Sequence, residues 1–219
     1  ETGYGLIHIS EYDWEFKQDI IKSLIRLRLG KTKRKIAGRK CNIVELSSKE
    51  STEFLDVNHI QGNSNQASLR YGLIFDNELV SVMTFSKPRF NKKHDFELCR
   101  FANKTNTVVN GAFPKLFNYF KKNNTFDSVI SYCDMAFFTG NIYENNGFKL
   151  LRESQPNYKY FKPRERVLES RNKYQKHKLK KVLDSFDSSL SEYQNMLNNG
   201  YLRIWDCGNI VYVYENYKK

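Results

Sequence analysis

Asn141-Ile142-Tyr143-Glu144-Asn145-Asn146-Gly147-Phe148 is the stretch that organises the predicted fold of this 219-residue chain. The apolar segment 128–133 before it has the composition of a buried strand, and 148–152 after it predicts another. Residues 141–145 between them predict a short helix. Gly147 allows the left-handed turn that ends such a helix, and Phe148 brings an aromatic side chain into the core. The stretch therefore predicts a strand, helix and strand within a sheet domain.

The region 41–162 around this stretch alternates strand and helix signals. Ser47-Ser48-Lys49-Glu50 is a capping box that opens a helix, and Asp76-Asn77-Glu78 is a hairpin turn between two strand-like segments. The predicted strands are 42–46, 69–75, 79–85, 96–101, 128–133, 148–152 and 158–161, and the predicted helices are 48–57, 112–120 and 141–145. This order of elements predicts a fold of mixed helices and strands, α/β in the broad sense that includes α+β, with one sheet flanked by helices.

Two shorter segments flank this domain. Residues 1–40 predict a strand at 4–9, a helix at 14–29 capped by Asp13, and a basic linker. The region after Pro163 predicts a helix toward Leu183 and a second helix, which the capping box Ser189-Leu190-Ser191-Glu192 opens and Gly200 ends. Segments 201–205 and 210–214 predict a hairpin. The expected parts are thus 1–40, the sheet domain 41–162, and a small helix, helix and hairpin module at 163–219.

Positive charge is concentrated in the two flanks. The chain has 36 Lys and Arg against 24 Asp and Glu, a formal net charge of +12. Ten basic and two acidic residues lie between Glu15 and Lys40, and nine and two between Lys162 and Lys181, so the rest of the chain is slightly acidic. Clustered Lys and Arg attract phosphates and release counterions, which predicts DNA as the partner; a solvated basic surface is the alternative. The expected nucleic-acid-binding residues are Lys33, Arg34, Lys35, Arg39, Arg171, Lys173, Lys176, Lys178 and Lys180.

Several classes of protein are excluded by composition. No apolar run approaches the roughly 20 residues that span a bilayer, and the opening Glu1-Thr2-Gly3 does not begin a signal peptide, so we expect a cytoplasmic protein. The four cysteines, 41, 99, 133 and 207, are scattered singly in apolar surroundings. No Cys or His spacing matches a zinc site. We therefore expect buried free thiols and no metal.

The stretch 141–148 resembles the GNAT acyltransferase superfamily, in which a helix ending in a Tyr-Glu-x-x-Gly-Phe pattern connects the last core strands. The resemblance implies a GNAT-like mixed sheet and an acyl-CoA cofactor such as acetyl-CoA. It implies a general acid at Tyr143, whose alternative role is packing. It places the CoA pyrophosphate on the backbone of Val109, Asn110, Gly111 and Ala112, at a helix N-terminus. Phe113 and Pro114 depart from the family's pattern, and a helix start merely packed against the sheet is the alternative.

Further strings resemble a phage family of Hef-like homing endonucleases, whose GNAT-like domain is similar to the Mom DNA-modification proteins. They are Asn58-His59-Ile60-Gln61-Gly62, 79–85, Phe96-Glu97-Leu98-Cys99-Arg100-Phe101, Ser131-Tyr132-Cys133-Asp134 and 203–209. Residues 5–29 resemble the last strand and helix of a nuclease domain of the very-short-patch-repair type. The carboxylates of that nuclease would lie upstream, so we expect no nuclease activity from this chain.

Three titratable residues join Tyr143 as catalytic candidates. His59 precedes a Gly- and Asn-rich loop where a ligand could approach. The resemblance to Mom implies that it orients a base or relays a proton; its alternative is to anchor the loop. Glu97 occupies the place of a general base in some GNAT enzymes; its alternative is an ion pair with Arg89 or Arg100. Asp134 ends a strand, where site carboxylates often lie.

These features support three hypotheses. The first is a phage-type DNA-binding protein whose GNAT-like (Mom-like) domain modifies a DNA base with an acyl-CoA. The second is a noncatalytic DNA-targeting module of a homing-type endonuclease. The third is an ordinary N-acetyltransferase.

Overall fold

The computed structural model describes residues 5–165 and 167–216, which form two compact units. The first unit comprises the chain up to Glu153 and from Ile210 onward, and the second is Ser154–Asn209. In chain order the elements are α1 (Glu11–Phe16), α2 (Gln18–Arg28), β1 (Arg34–Ala37), β2 (Asn42–Glu45), α3 (Ser48–Asn58), β3 (Leu69–Phe75), β4 (Glu78–Ser86), β5 (Phe96–Asn103), β6 (Thr107–Asn110), α4 (Ala112–Asn123), β7 (Ser128–Asp134), α5 (Asn141–Glu144), β8 (Lys149–Glu153), β9 (Tyr158–Phe161), β10 (Glu169–Ser170), α6 (Lys176–Val182), α7 (Glu192–Asn198), β11 (Leu202–Trp205) and β12 (Asn209–Glu215). Short 3-10 turns occupy Gly38–Lys40 and Arg171–Tyr174.

A seven-stranded mixed sheet with the order β2-β3-β4-β5-β7-β12-β8 is the frame of the first unit. The pairs β2–β3, β3–β4, β4–β5 and β8–β12 are antiparallel, whereas β5 and β7 are parallel. A parallel pair requires a crossover, and α4 supplies it. The predicted fold class, a mixed sheet flanked by helices, is confirmed.

The two faces of the sheet are covered by different helices because successive residues of a strand point in opposite directions. On one face α4 buries Phe113, Leu116, Phe117 and Phe120. The rings of Phe120 and Phe85 stack with centroids 3.9 Å apart and 10° between their planes.

The opposite face of the sheet packs against α3. Phe54 and Leu55 of this helix meet Val82 and Ala102. The capping box predicted for α3 is present: Ser47 Oγ accepts from the Glu50 N–H, and Glu50 accepts from the Ser47 N–H at 2.8 Å. The sequence therefore fixed where this helix begins.

Several predictions for the N-terminal segment are wrong. The part of 4–9 that the structure describes forms no strand; instead the His8 N–H donates to the Ala136 carbonyl at 2.9 Å. The expected single helix is two helices separated at Lys17, and Ser10 rather than Asp13 caps the first. The basic linker contains β1, which pairs in parallel with β6 because Ile36 and Val109 are both buried. Neither strand was predicted.

The second unit has its own small sheet, of order β10-β9-β11, and its own core. Tyr160, Tyr174, Leu179 and Met196 are its fully buried side chains. The predicted long helix from Pro163 to Leu183 is wrong. This stretch has few apolar residues to bury along a continuous helical face, and helices depend on such burial. Only α6 and the 3-10 turn before it form, so that Tyr174 and Leu179 both reach the core.

The predicted hairpin of 201–205 and 210–214 is also wrong. β11 pairs with β9 in the second unit, whereas β12 pairs with β8 in the first. Val211, Tyr212 and Val213 are buried in succession, which is typical of a strand inside a large sheet rather than in an isolated hairpin. The compact units accordingly have boundaries other than those predicted. The last helix begins at the capping box of Ser191 and Gln194, two residues later than expected, and ends before Gly200 as expected.

Replacing Phe120 with alanine should lower the free energy of unfolding by about 3 to 5 kcal/mol, because the fully buried ring leaves a cavity between α4 and the sheet. Urea denaturation measures this change. Phe90→Ala is the matched control: that ring is 75% exposed, and its loss should cost less than about 0.5 kcal/mol. Equal losses in both variants would contradict the described core.

Candidate active site

A cavity of about 590 Å³ opens where β5 and β7 separate. The two strands pair at Phe96↔Val129, Glu97↔Ile130 and Leu98↔Ser131, the three pairs of their parallel ladder. Beyond this point residues 99–103 of β5 and 132–134 of β7 line the cavity instead of pairing with each other. Backbone groups on these diverging edges are therefore available to a ligand.

The end of the ladder is fixed by side chains. Ser131 Oγ lies 3.0 Å from the Leu98 carbonyl oxygen, to which it donates, and 3.1 Å from the hydroxyl of Tyr143. On the other side of β5 the register with β4 passes from Arg100 to Leu98, so Cys99 is the extra residue of a β-bulge. Bulges change the direction of a strand and leave a residue unpaired, and they occur often beside active sites. The Ser131 hydrogen bonds and the Cys99 bulge both lie where β5 and β7 begin to separate.

Most of the predicted site residues meet in this cavity. His59, Asp134 and Tyr143 line it, and so does the entire predicted phosphate loop, Val109 to Ala112. These residues come from the segment after α3, the end of β7, helix α5 and the start of α4, so no sequence spacing joins them. The structure brings them together; their chemical roles stay predictions.

Glu97 does not line the cavity. Its side chain is 1% exposed and accepts hydrogen bonds from the Arg89 backbone N–H at 3.1 Å, from Nε at 3.2 Å and from Nη2 at 2.9 Å. These contacts match the ion pair that was the alternative to a general base. Glu97 anchors the segment after β4 to the first residues of β5.

His59 is held in one tautomer by its own loop. Its Nδ1 accepts a hydrogen bond from the Gln61 backbone N–H at 3.1 Å, so a neutral ring carries its proton on Nε2. Burial, with the charges of Arg100 and Lys17, lowers the pKa of His59 from 6.5 to about 3. The ring is therefore neutral at physiological pH, a weak base but a good hydrogen-bond donor.

Asp134 is connected to the same loop. Its Oδ1 accepts from the Ala136 N–H at 2.9 Å, and its Oδ2 accepts from Gln61 Nε2 at 3.1 Å. Gln61 thus contacts both His59 and Asp134, one through its backbone and the other through its side chain. Sequence reasoning did not single out Gln61, because an amide in a polar loop carries no signal of its own.

Tyr143 is fixed by aromatic contacts. Its ring stacks on Tyr212 with centroids 5.0 Å apart and 13° between planes, and the Tyr212 hydroxyl donates to Glu144 at 2.9 Å. Gly140 is required here, because a Cβ would lie 2.0 Å from that hydroxyl oxygen. Burial raises the pKa of Tyr143 to about 12, so its hydroxyl keeps its proton and can donate it.

The start of α4 has the features of an anion site. Gly111, with φ +77°, precedes the first turn, and no side chain caps the helix, so its amides are left without a side-chain acceptor. Pro114 removes one donor from this turn. Gly38 packs against the loop so closely that a Cβ would meet the Asn110 carbonyl oxygen at 2.7 Å. Lys115 holds this arrangement by donating from Nζ to the Gly38 carbonyl at 2.9 Å.

The predicted DNA-binding residues are all exposed. Arg34 forms an ion pair with Glu78, which also binds Lys104, and these two cations lower the pKa of Glu78 to about 2. Lys173 forms an ion pair with Glu169. The positive charges of Arg34 and Lys173 are therefore partly neutralised.

The four cysteines are free thiols, as predicted, although Cys99 and Cys207 are only partly buried. Burial raises the pKa of Cys133 to about 11 and also raises that of Cys99, so both cavity thiols stay protonated. Within residues 5–165 and 167–216, no group of three or more His, Cys, Asp or Glu side chains could hold a metal ion. No helix in the described part of the chain is long and apolar enough to cross a membrane.

Comparison with known proteins gives structural matches only. No protein-family model and no curated protein sequence matches the chain, so the resemblance to Hef-like endonucleases stays a prediction. A GNAT family acetyltransferase from Elizabethkingia anophelis with acetyl-CoA bound matches with TM-score 0.45 and 13% identity, over 81% of this chain and 99% of its own. A GNAT family acetyltransferase from Bacillus cereus matches with TM-score 0.43 and 10% identity over the same shares. A Bacillus subtilis acetyltransferase in complex with CoA matches with TM-score 0.44 and 14% identity, also over 81% and 99%.

His59 should make the protein less stable in acid. Because its folded pKa of about 3 lies below the ordinary 6.5, the unfolded chain binds the proton first. Stability therefore falls as the pH drops below about 6.5, by up to about 1.4 kcal/mol per pH unit. His59→Gln removes this contribution. Urea denaturation of both proteins at about pH 7 and about pH 5 should show that the stability advantage of wild type over variant shrinks in acid. An unchanged difference would contradict a buried neutral ring.

Proposed function

We propose that the protein is a GNAT-like acyltransferase that uses acetyl-CoA or another acyl-CoA. One observation carries this proposal: the cavity at the separation of β5 and β7 joins the start of α4 to His59, Asp134 and Tyr143. An anion site, two free strand edges and proton-bearing side chains are the groups that an acyl-CoA and its reaction require.

The residues fit the cofactor in two places. The amides of Gly111, Ala112 and Phe113 at the start of α4 would hold the pyrophosphate, helped by the helix dipole. The edge of β5 beyond Leu98 would bind the amide-containing arm as an added strand, through backbone hydrogen bonds. The bound cofactor supplies an acyl group activated as a thioester.

The side chains divide the proton transfers between them. Tyr143 is protonated at physiological pH and would donate a hydrogen bond to the leaving sulfur and supply its proton to the thiolate, although its raised pKa of about 12 makes it a weaker acid than an ordinary tyrosine. His59 would orient the acceptor by donating from Nε2, since a pKa of about 3 makes it a poor base. Asp134 is the carboxylate in the cavity and would accept the proton that the attacking amine releases.

Tyr143→Phe should lower the rate of CoA release from acetyl-CoA by about a hundredfold, because the leaving sulfur loses its general acid. The affinity for CoA, measured by calorimetric titration, should stay unchanged. Tyr119→Phe is the matched control, because that ring packs against Tyr71 outside the cavity. A variant with full activity would assign Tyr143 to packing alone, and a wild-type protein that neither binds CoA nor releases it would contradict the acyltransferase.

We further propose that DNA is the macromolecular partner, as for a phage-type protein that modifies a DNA base. The supporting observation is the exposed basic surface of α6, which includes Lys176 and Lys180. Chemistry on a base in duplex DNA requires that the base be flipped out of the stack. If the cavity proves inactive, the same surface supports the alternative of a noncatalytic targeting module.

Reversing the charge of Lys176 and Lys180 to Glu should weaken DNA binding for all sequences alike. Each lost phosphate contact should reduce the slope of log affinity against log salt by about 0.9. Fluorescence anisotropy at several salt concentrations measures both quantities. Lys92→Glu with Lys93→Glu is the control, because it changes the net charge equally at exposed positions of the first unit. Equal effects of both double variants would show that only net charge matters.

A further inference from the structure

Arg100 is a partly buried cation that lines the cavity, and its hydrogen bonds go to uncharged backbone carbonyls. Its Nε donates to the Gly62 carbonyl at 2.9 Å, and its Nη1 donates to the Cys99 carbonyl at 2.7 Å. Among the described residues no carboxylate forms an ion pair with it, whereas Arg89 on the neighbouring segment is neutralised by Glu97. Burial lowers the pKa of Arg100, but a guanidinium stays charged in proteins. Such a charge is costly to bury unless it is paired, so its place in a cavity favours an anionic ligand.

The charges around the cavity favour the same ligand. Three basic residues line it, Arg28, Arg100 and Lys104, against one carboxylate, Asp134. Lys104 is paired with Glu78, and Asp134 already accepts hydrogen bonds from Gln61 and Ala136.

The guanidinium belongs to the end of the cavity with the proton-bearing side chains. Its charge depresses the pKa of His59 and acts on Tyr143, and its Nε holds the loop that carries His59. The anion site proposed for the cofactor uses backbone amides of another element, the start of α4, whose Phe113 ring packs against that of Tyr143 with centroids 5.7 Å apart. An anion bound by Arg100 is distinguished from the CoA pyrophosphate by the CoA affinity of an Arg100 variant.

We propose that Arg100 determines specificity by binding a carboxylate or phosphate group of the acyl acceptor. Nε and Nη1 keep the side chain in place, while Nη2 is left to donate to the oxyanion. This inference rests on the proposed acyltransferase function. It assigns the acceptor to anionic amines, a class that includes both amino acids and nucleotides.

Matched acceptors test the proposal through activity. CoA release is measured with glycine against glycinamide and with deoxyadenosine monophosphate against deoxyadenosine. The glycine pair differs only by the charged carboxylate, and the deoxyadenosine pair differs only by the phosphate. The wild type should prefer the anionic member of at least one pair by about tenfold or more in kcat/KM. Arg100→Gln should abolish the preference and Arg100→Lys should restore part of it, while Lys92→Gln, which removes an exposed cation outside the cavity, should keep it. Preferences that are equal in wild type and Arg100→Gln overturn the proposal.

Ligand binding tests the proposal without turnover. Calorimetric titrations with inorganic phosphate and with acetate should show a site that Arg100→Gln loses and Lys92→Gln keeps. The CoA affinity should be the same in all three proteins. A site unaffected by Arg100→Gln, no binding of either anion, or a matching loss of CoA affinity in Arg100→Gln would each overturn the assignment to the acceptor. If the wild type binds phosphate through Arg100 but neither binds CoA nor releases it, the anion site stands and the acyltransferase fails.

Discussion

The short parallel ladder between β5 and β7 is the constraint on which the site depends. Three residue pairs join the strands, and the hydroxyl of Ser131 closes the ladder by bonding to the Leu98 carbonyl. Beyond that point β5 stays paired with β4 up to Asn103, so an opening forms on only one side of this strand. The bulge at Cys99 turns β5 at the same level. Tyr143 contacts Ser131 where the strands separate, and the crossover helix α4 begins beside the opening, with Phe113 packed against the Tyr143 ring. A slip of one residue in this ladder would turn every side chain of β5 to the other face of the sheet.

Inside the opening, burial sets the protonation states. It raises the pKa of Tyr143 and of the thiols and lowers that of His59, so each of these groups is neutral at physiological pH. The charges that remain are Asp134 and the basic residues of the wall. Gln61 connects His59 to Asp134, which gives the loop after α3 a fixed place beside the end of β7. The result is a small set of proton-bearing side chains and one carboxylate, arranged around a space large enough for a ligand.

The second unit is inserted between two strands of the main sheet, β8 and β12. Its ends meet: the Ser154 N–H donates to the Asn209 carbonyl at 2.8 Å, and the Asn209 N–H donates to Ser154 Oγ at 2.9 Å. An insertion whose ends lie together leaves the parent sheet undisturbed. Its buried tyrosines and Leu179 form a separate core, and its lysines other than Lys162 are exposed. The basic segment that looks like one long helix in sequence is thus divided among β10, a 3-10 turn and α6.

Local sequence patterns predicted most elements of the sheet domain. Alternation, capping boxes and turn residues act over a few positions, so β3, β4, α3 and the glycine turn at Gly147 were predictable. The sequence also supplied His59, Asp134, Tyr143 and the loop before α4 as candidates. Only the tertiary structure decided that these residues share a cavity, that Glu97 is outside it paired with Arg89, and that β11 and β12 belong to different sheets. It also established that β1 and β6 pair, and that Arg100 donates to the carbonyls of Gly62 and Cys99 while Glu97 forms its ion pair with Arg89. The reason is that strand partners, burial and charge pairing depend on contacts between residues tens of positions apart, whereas local patterns report only on near neighbours in the chain.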